Sequence, residues 1–330
     1  MKKINWSKYS KPIILVVFCI ILTILRPTTF PTVSNIANVL WSVSVIGIMV
    51  CGTIFVFLVG GIDLSIATLC GFSAVVTVEV IHALGDTTGS VFAAVLAALV
   101  VGALAGCAHG IIITTFNIPA FLVTFATQSV FLGLSMVITK NKIVSCTGPA
   151  AFTAIGSMKI LGFPLPIYFM IVIAIISWFV LRKTVFGRWI YAVGGNPSAS
   201  AISGINVKVA TILCYVFSGM TTALGGVVLA SMTREAKAAL GSGYTNDVIT
   251  AGVIGGVSLL GGVGTVPGAI FGAVLMGLLN NGLNLLSVPS THAGLVKGLV
   301  IIVAVGFDAM QHKDQARKKA GFLFFKKKSA

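Results

Sequence analysis

The sequence is short of charge. Only 9% of its 330 residues are Asp, Glu, Lys or Arg, and only seven are acidic. A soluble domain carries about a quarter of its residues charged, so this chain cannot cover a water-exposed surface. The shortage of acid also argues against a carrier that moves solute alone on an ion gradient, which would use carboxylates buried in its spans. Catalytic signatures are missing too. There is no HExxH, no GxSxG and no GxxxxGK[ST] phosphate loop, and the four histidines are scattered. The six cysteines, at 19, 51, 70, 107, 146 and 214, form no CxxC pair or metal-ligand spacing. They read as small buried hydrophobes, and no metal site is expected.

What is present is apolar: 57% of the residues are hydrophobic. They fall into blocks matching the length of about 20 residues that a helix needs to cross a bilayer. Backbone groups there must satisfy one another, which leaves helices or a closed barrel, and long runs without period-two alternation select helices. The fold class is therefore an all-α polytopic membrane protein. Ten spans are expected, at 12–30, 43–60, 64–84, 90–112, 119–139, 163–181, 209–231, 247–262, 266–286 and 294–311; eight or nine full spans also fit. The eighth is short and glycine-rich, which suggests a broken or re-entrant helix. The first block follows lysines but lacks a small-x-small cleavage site, so it reads as a retained helix.

The net charge of +15 does not make a nucleic-acid surface, because the basic residues sit at block ends and in the tails. Most lie in an N-terminal tail (1–11), in the segment 182–208 and in a C-terminal tail (312–330), flanking a membrane domain at 12–311. The positive-inside bias then puts both termini in the cytoplasm. The terminal Lys326-Lys327-Lys328 run after Phe322 to Phe325 reads first as a topology anchor, with contact to anionic lipid as the other reading.

A few polar residues need an account. Asp63, between two blocks, either caps the following helix or serves transport and gating. Asn280 and Asn284 are four apart and can share a face with paired donors and acceptors. With Asn281 they either meet a polar solute or bind neighbouring helices. Asn246 and Asp247 precede the eighth block and look first like a helix start. Gln128 and His109 are secondary candidates for a polar pathway. In the segment after Phe186, Asn196 and Pro197 fit the cap and first position of a short helix running to Ile205. That helix, with Arg188 nearby, offers a surface for a cytoplasmic partner or merely fixes topology. Gly60-Gly61-Ile62-Asp63-Leu64-Ser65 and Gly255-Gly256-Val257-Ser258-Leu259-Leu260 share a frame beside interrupted blocks, either a repeated broken helix or coincidence.

GGIDLSIATLCG at 60–71, FGRWIYAVGGNPSASAISGI at 186–205, VIGGVSLLGGVGTVPGAIFGA at 253–273, NNGLNLL at 280–286 and VKGLVIIVAVGFD at 296–308 occur in order among the spans. Over residues 35–308 the chain resembles the permease subunits of bacterial ABC importers for ribose and related monosaccharides, including the autoinducer-2 branch. It departs from that pattern at Ala67, Ser198, Ala201 and Thr245-Asn246. The resemblance implies a type II ABC importer-like bundle in the inner membrane, paired with an identical or homologous permease. It implies cytoplasmic ATPase partners, which would bind ATP and Mg while this chain binds no cofactor, and an extracytoplasmic substrate-binding protein. It also implies that Gly187, Arg188, Gly194, Asn196, Pro197, Ser203 and Gly204 couple to the ATPase. The expected function is inward movement of a monosaccharide. Permeation of a nucleoside or other small polar metabolite is the alternative, and an ATP-independent carrier or a membrane scaffold stands further off.

Overall fold

The computed structural model describes residues 6–289, 292–300 and 302. Residues 1–5, the end of the tenth expected block and the C-terminal tail at 312–330 lie outside them. Twelve helices precede residue 286: α1 (Trp6–Leu25), α2 (Val33–Leu58), α3 (Ile66–Leu84), α4 (Thr88–Phe116), α5 (Ala120–Thr139), α6 (Ala150–Ser157), α7 (Leu165–Lys183), α8 (Val185–Gly195), α9 (Pro197–Ile202), α10 (Val207–Thr233), α11 (Tyr244–Ile254) and α12 (Val266–Leu285). Residues 292–300 are helical again. Two-residue strands make two small antiparallel pairs: β1 (Val144–Ser145) with β4 (Glu235–Ala236), and β2 (Lys159–Ile160) with β3 (Phe163–Pro164).

Seven helices among the described residues are long and apolar enough to cross a membrane: α2, α3, α4, α5, α7, α10 and α12. The most buried are α2 and α10. Around them α4, α5 and α7 turn large side chains such as Leu104, Phe125 and Ile175 outward. Hydrocarbon gives apolar helices no incentive to associate, so close backbone approach must supply the attraction. Gly102 and Gly219 provide it between α4 and α10, where a Cβ on either would overlap the other's carbonyl oxygen. Several buried hydroxyls are satisfied within their own helices, as where Thr53 donates to the Met49 carbonyl (2.9 Å) and Thr77 to that of Ser73 (2.7 Å).

Several boundaries differ from the sequence expectation. Helix α1 begins at Trp6, so it takes in the last residues of the expected N-terminal tail. Helix α2 begins ten residues before the second block, because Thr32 caps it by accepting the Asn35 amide (3.2 Å). Of the polar residues at its start, which lowered the local hydropathy, Asn35 is buried and hydrogen-bonded, while Ser34 and Asn38 are exposed. The eighth block is not one helix: α11 has 11 residues, about 16 Å at 1.5 Å per residue, half the hydrocarbon core. Residues 255–265 then run non-helically to α12. The short α6 and the strand pairs were not foreseen.

Candidate functional site

The segment between α7 and α10 is built from caps. Thr184 Oγ1 accepts the Gly187 amide (3.1 Å) and starts α8; Asn196 Oδ1 accepts the Ala199 amide (2.9 Å) and starts α9, with Pro197 in its first turn. Gly187 is small by necessity, since a Cβ there would lie 2.5 Å from the Val180 carbonyl oxygen. Gly204, at φ +84°, ends α9: its amide donates to Ala201 and that of Ile205 to Ser200. Ser203 Oγ donates back to Ala199 (2.9 Å). Arg188 and Trp189 are exposed, whereas Ile190 and Val193 are fully buried against the bundle. The α8 helix therefore has one face for the membrane domain and one left for another molecule.

Its buried face meets both interrupted blocks. The Gly262 amide donates to the carbonyl of Leu58, the last residue of α2 (2.9 Å). A Cβ on Gly194 would overlap that same carbonyl oxygen and lie 2.5 Å from the Gly262 nitrogen. A Cβ on Gly261 would lie 2.9 Å from the Gly194 oxygen and 3.0 Å from the Gly60 nitrogen. Three backbone segments far apart in sequence thus touch where side chains cannot fit. Tyr191 fastens the contact by donating to the Gly264 carbonyl (2.8 Å). Burial pushes its phenol up from the ordinary value, with Arg182 pulling the other way, so it stays protonated and donating at neutral pH. Tyr191→Phe is expected to lower stability by about 1 kcal/mol. The loss should be constant over roughly pH 6–9, below the phenol's ordinary ionisation near 10; denaturant titrations at several pH values check it.

The two breaks are alike in detail. After α2, Gly60 (φ +77°) donates to Phe57 and Gly61 to Val56; after α11, Gly256 (φ +82°) donates to Val253 and Val257 to Gly252. Both are Schellman endings. Each is followed by a side-chain turn, Asp63 Oδ1 accepting the Ser65 amide (2.8 Å) and Ser258 Oγ accepting that of Leu260 (3.1 Å). Asp63 and Ser258 correspond in the shared frame, but the left-handed glycine is one residue later in the second copy.

Asp63 is buried and also accepts from Ser65 Oγ (2.6 Å). It therefore shapes the turn before α3, two residues ahead of Ser65, which holds the cap position. Thr124 Oγ1 on α5 accepts the Leu64 amide (3.0 Å) and Thr245 Oγ1 on α11 that of Ala67 (3.0 Å). Alongside, His109 Nε2 is 2.7 Å from Thr127 Oγ1 and its ring meets Tyr215 edge-on. The Tyr215 hydroxyl, against Gly61, has no partner among the described residues.

A second polar cluster joins α11, α12 and the last helical segment. Lys297 Nζ lies 3.0 Å from Asp247 Oδ1 and donates to Oδ2 at 3.1 Å, while Asn280 Nδ2 donates to Oδ2 at 3.2 Å. Of the two asparagines spaced to share a face of α12, Asn280 turns to Asp247 and Asn284 is exposed. Asn281 instead makes a reciprocal amide pair with Asn35 of α2 (2.8 and 3.2 Å), joining two helices. Asn246 is exposed, and Gln128 is half-buried with no hydrogen bond among the described residues. Sequence reasoning missed Lys297, although a lone lysine inside an apolar block is itself a signal. It missed the contacts made by Tyr191, Thr124 and Thr245 and the burial of Tyr215, which depend on other segments.

Long apolar helices, two glycine-ended interruptions and an inter-span helix seated on both define an all-α, multi-pass membrane permease. Residues 35–305 match the family described as "Branched-chain amino acid transport system / permease component". The chain belongs to that family. It is 38% identical over 295 residues to the ribose import permease protein RbsC of Bacillus subtilis (89% of this chain, 90% of that one). It is 32% identical over 309 residues to the D-allose transport system permease protein AlsC of Escherichia coli (93% of each). It is 34% identical over 316 residues to the L-arabinose ABC transporter permease protein AraH of Azospirillum brasilense (95% and 92%). No solved structure matches it.

Proposed function

We propose that this chain is the permease subunit of an ABC importer in a bacterial inner membrane and moves a monosaccharide inward. The observation that carries the substrate class is near full-length similarity to permeases named for ribose, allose and arabinose. The family's description names amino acids, but the relatives narrow the choice to sugars.

In this reading the chain hydrolyses nothing. ATP and Mg are held by separate ATPase subunits that dock on the free face of α8 and α9, around Arg188. Gly187, Asn196, Pro197, Ser203 and Gly204 hold that surface in shape, and Gly194 joins it to the membrane domain. A second permease, identical or homologous, completes the route, and an extracytoplasmic binding protein delivers the sugar. Both termini are cytoplasmic in this reading, which the basic segment between α7 and α10 supports. The bundle counts ten apolar segments, of which α11 is a half-helix that does not span. Gln128, Asn246 and Asn284 are the residues free to exchange hydrogen bonds with a passing sugar. Asp63 and Asn281 act through the helices they hold, and Asp247 with Asn280 positions α11 beside the route.

The test is reconstitution with the ATPase and binding protein encoded alongside, followed by a panel of labelled ribose, allose, arabinose, a nucleoside and leucine. ATP-dependent uptake of one sugar is expected. Uptake by the purified chain without ATP, or uptake of leucine alone, would sink the proposal.

A further inference from the structure

A groove of about 290 Å³ runs between α7 and the first turns of α12, lined chiefly by Ile171, Ala174, Ile175 and Trp178 on one side and Val266 and Ile270 on the other. Ile171, Ile175 and Trp178 are exposed, so the groove opens on the outside of the bundle. Its lining offers a sugar no donor or acceptor, and it is no part of the polar clusters.

Two features say what covers it. The first is depth. From Ile171 to Trp178 the groove follows α7 for about 10 Å at 1.5 Å per residue, roughly a third of the hydrocarbon core. That lies within the reach of a single leaflet, about half of the hydrocarbon core. The second is charge. Positions 171, 175, 178 and 182 continue one stripe of α7 at helical spacing, so the stripe that lines the groove ends on Arg182. Arg182 and the neighbouring Lys183 are exposed. The first turn of α12 brings no acidic residue, and neither cation is in an ion pair among the described residues. An apolar slot of leaflet depth that ends in an unneutralised guanidinium complements a molecule with an apolar chain and an anionic head. Trp178, one turn before Arg182, suits the boundary between the two environments.

We infer that this groove holds one acyl chain of an anionic phospholipid, with its phosphate on Arg182. The site is separate from the transport reading and needs no ATPase to be seen. Native mass spectrometry of the purified full chain, offered phosphatidylglycerol and phosphatidylethanolamine with the same acyl chains, tests it. Preferential retention of phosphatidylglycerol is expected. Arg182→Gln should cut that preference about fivefold, the effect of one cation near an anionic surface. Ala174→Trp should fill the groove and lower retention of both lipids, with Ala174→Phe as the milder variant if assembly fails. Ile176→Trp, exposed on α7 but outside the lining, should change neither. Equal retention of the two lipids by the parent overturns the inference, as does full retention by a folded Ala174 variant. So does disulfide cross-linking of Ile175→Cys to a second copy, which would mean that protein covers the groove.

Discussion

Lys297→Met is expected to destabilise the bundle by about 3–5 kcal/mol, the usual cost of leaving one member of a buried ion pair alone. The side chains of Lys297 and Asp247 are only 24% and 6% exposed, and the two groups lie 3.0 Å apart. Without the ammonium, the largely buried Asp247 carboxylate keeps a single weak donor among the described residues, Asn280 at 3.2 Å. The double variant Lys297→Met with Asp247→Asn removes both charges and should recover most of the loss. Denaturant titration in detergent measures both, and labelled-sugar uptake should follow the same order. Equal stability of the single and double variants would mean that the two charges are not coupled in the folded protein.

The second large effect is expected at Gly194. Gly194→Ala places a methyl group on the Leu58 carbonyl and beside the Gly262 amide. Both are backbone atoms held by their own hydrogen bond, so neither can turn aside. Overpacking of this kind costs about 1–3 kcal/mol, and relief requires α8 to lift from the two helix breaks. Uptake should fall at least tenfold, as about 1.4 kcal/mol lost from the coupled state implies. Under the proposed docking of the ATPase on the outer face of α8, its binding should persist. Gly195→Ala is the matched control, because a Cβ there meets nothing within 4 Å, and its uptake should stay near that of the parent. Equal behaviour of the two variants would rule out a tight joint at Gly194.

Membrane character, helix type and most spans were legible from composition and block length, because the hydrocarbon core imposes its own length on any helix that crosses it. The short-helix cap at Asn196 and Pro197 was legible too, since capping depends on residues three apart. The eighth segment was only half legible. Its glycines announced an interruption, but a window of hydropathy cannot separate an 11-residue helix plus an extended turn from a weak span. The polar clusters were harder still. Asp63 and Asp247 stood out because acid is rare here, whereas Lys297, which pairs with Asp247, and Thr124 and Thr245, which hold the backbone just after Asp63, come from segments far away in sequence. The pairing of Asn281 with Asn35, 246 residues away, depends on how α2 meets α12 and leaves no local mark. Whether Asn280 and Asn284 meet a solute or a neighbouring helix stayed open for the same reason: a shared helix face says which way two side chains point, but not what stands opposite.

The half-length of α11 also bears on how the chain is made. Eleven residues that include a carboxylate are a poor substrate for membrane insertion, and the helix ends well short of a full crossing. What holds it is α12: a Cβ on Gly272 would overlap the carbonyl of Ala251, and one on Gly268 that of Gly255. Such contacts exist only after α12 has been synthesised and has entered the bilayer. Insertion is therefore expected to take residues 244–285 as one hairpin, with Lys297 following to neutralise the Asp247 carboxylate that the hairpin carries in.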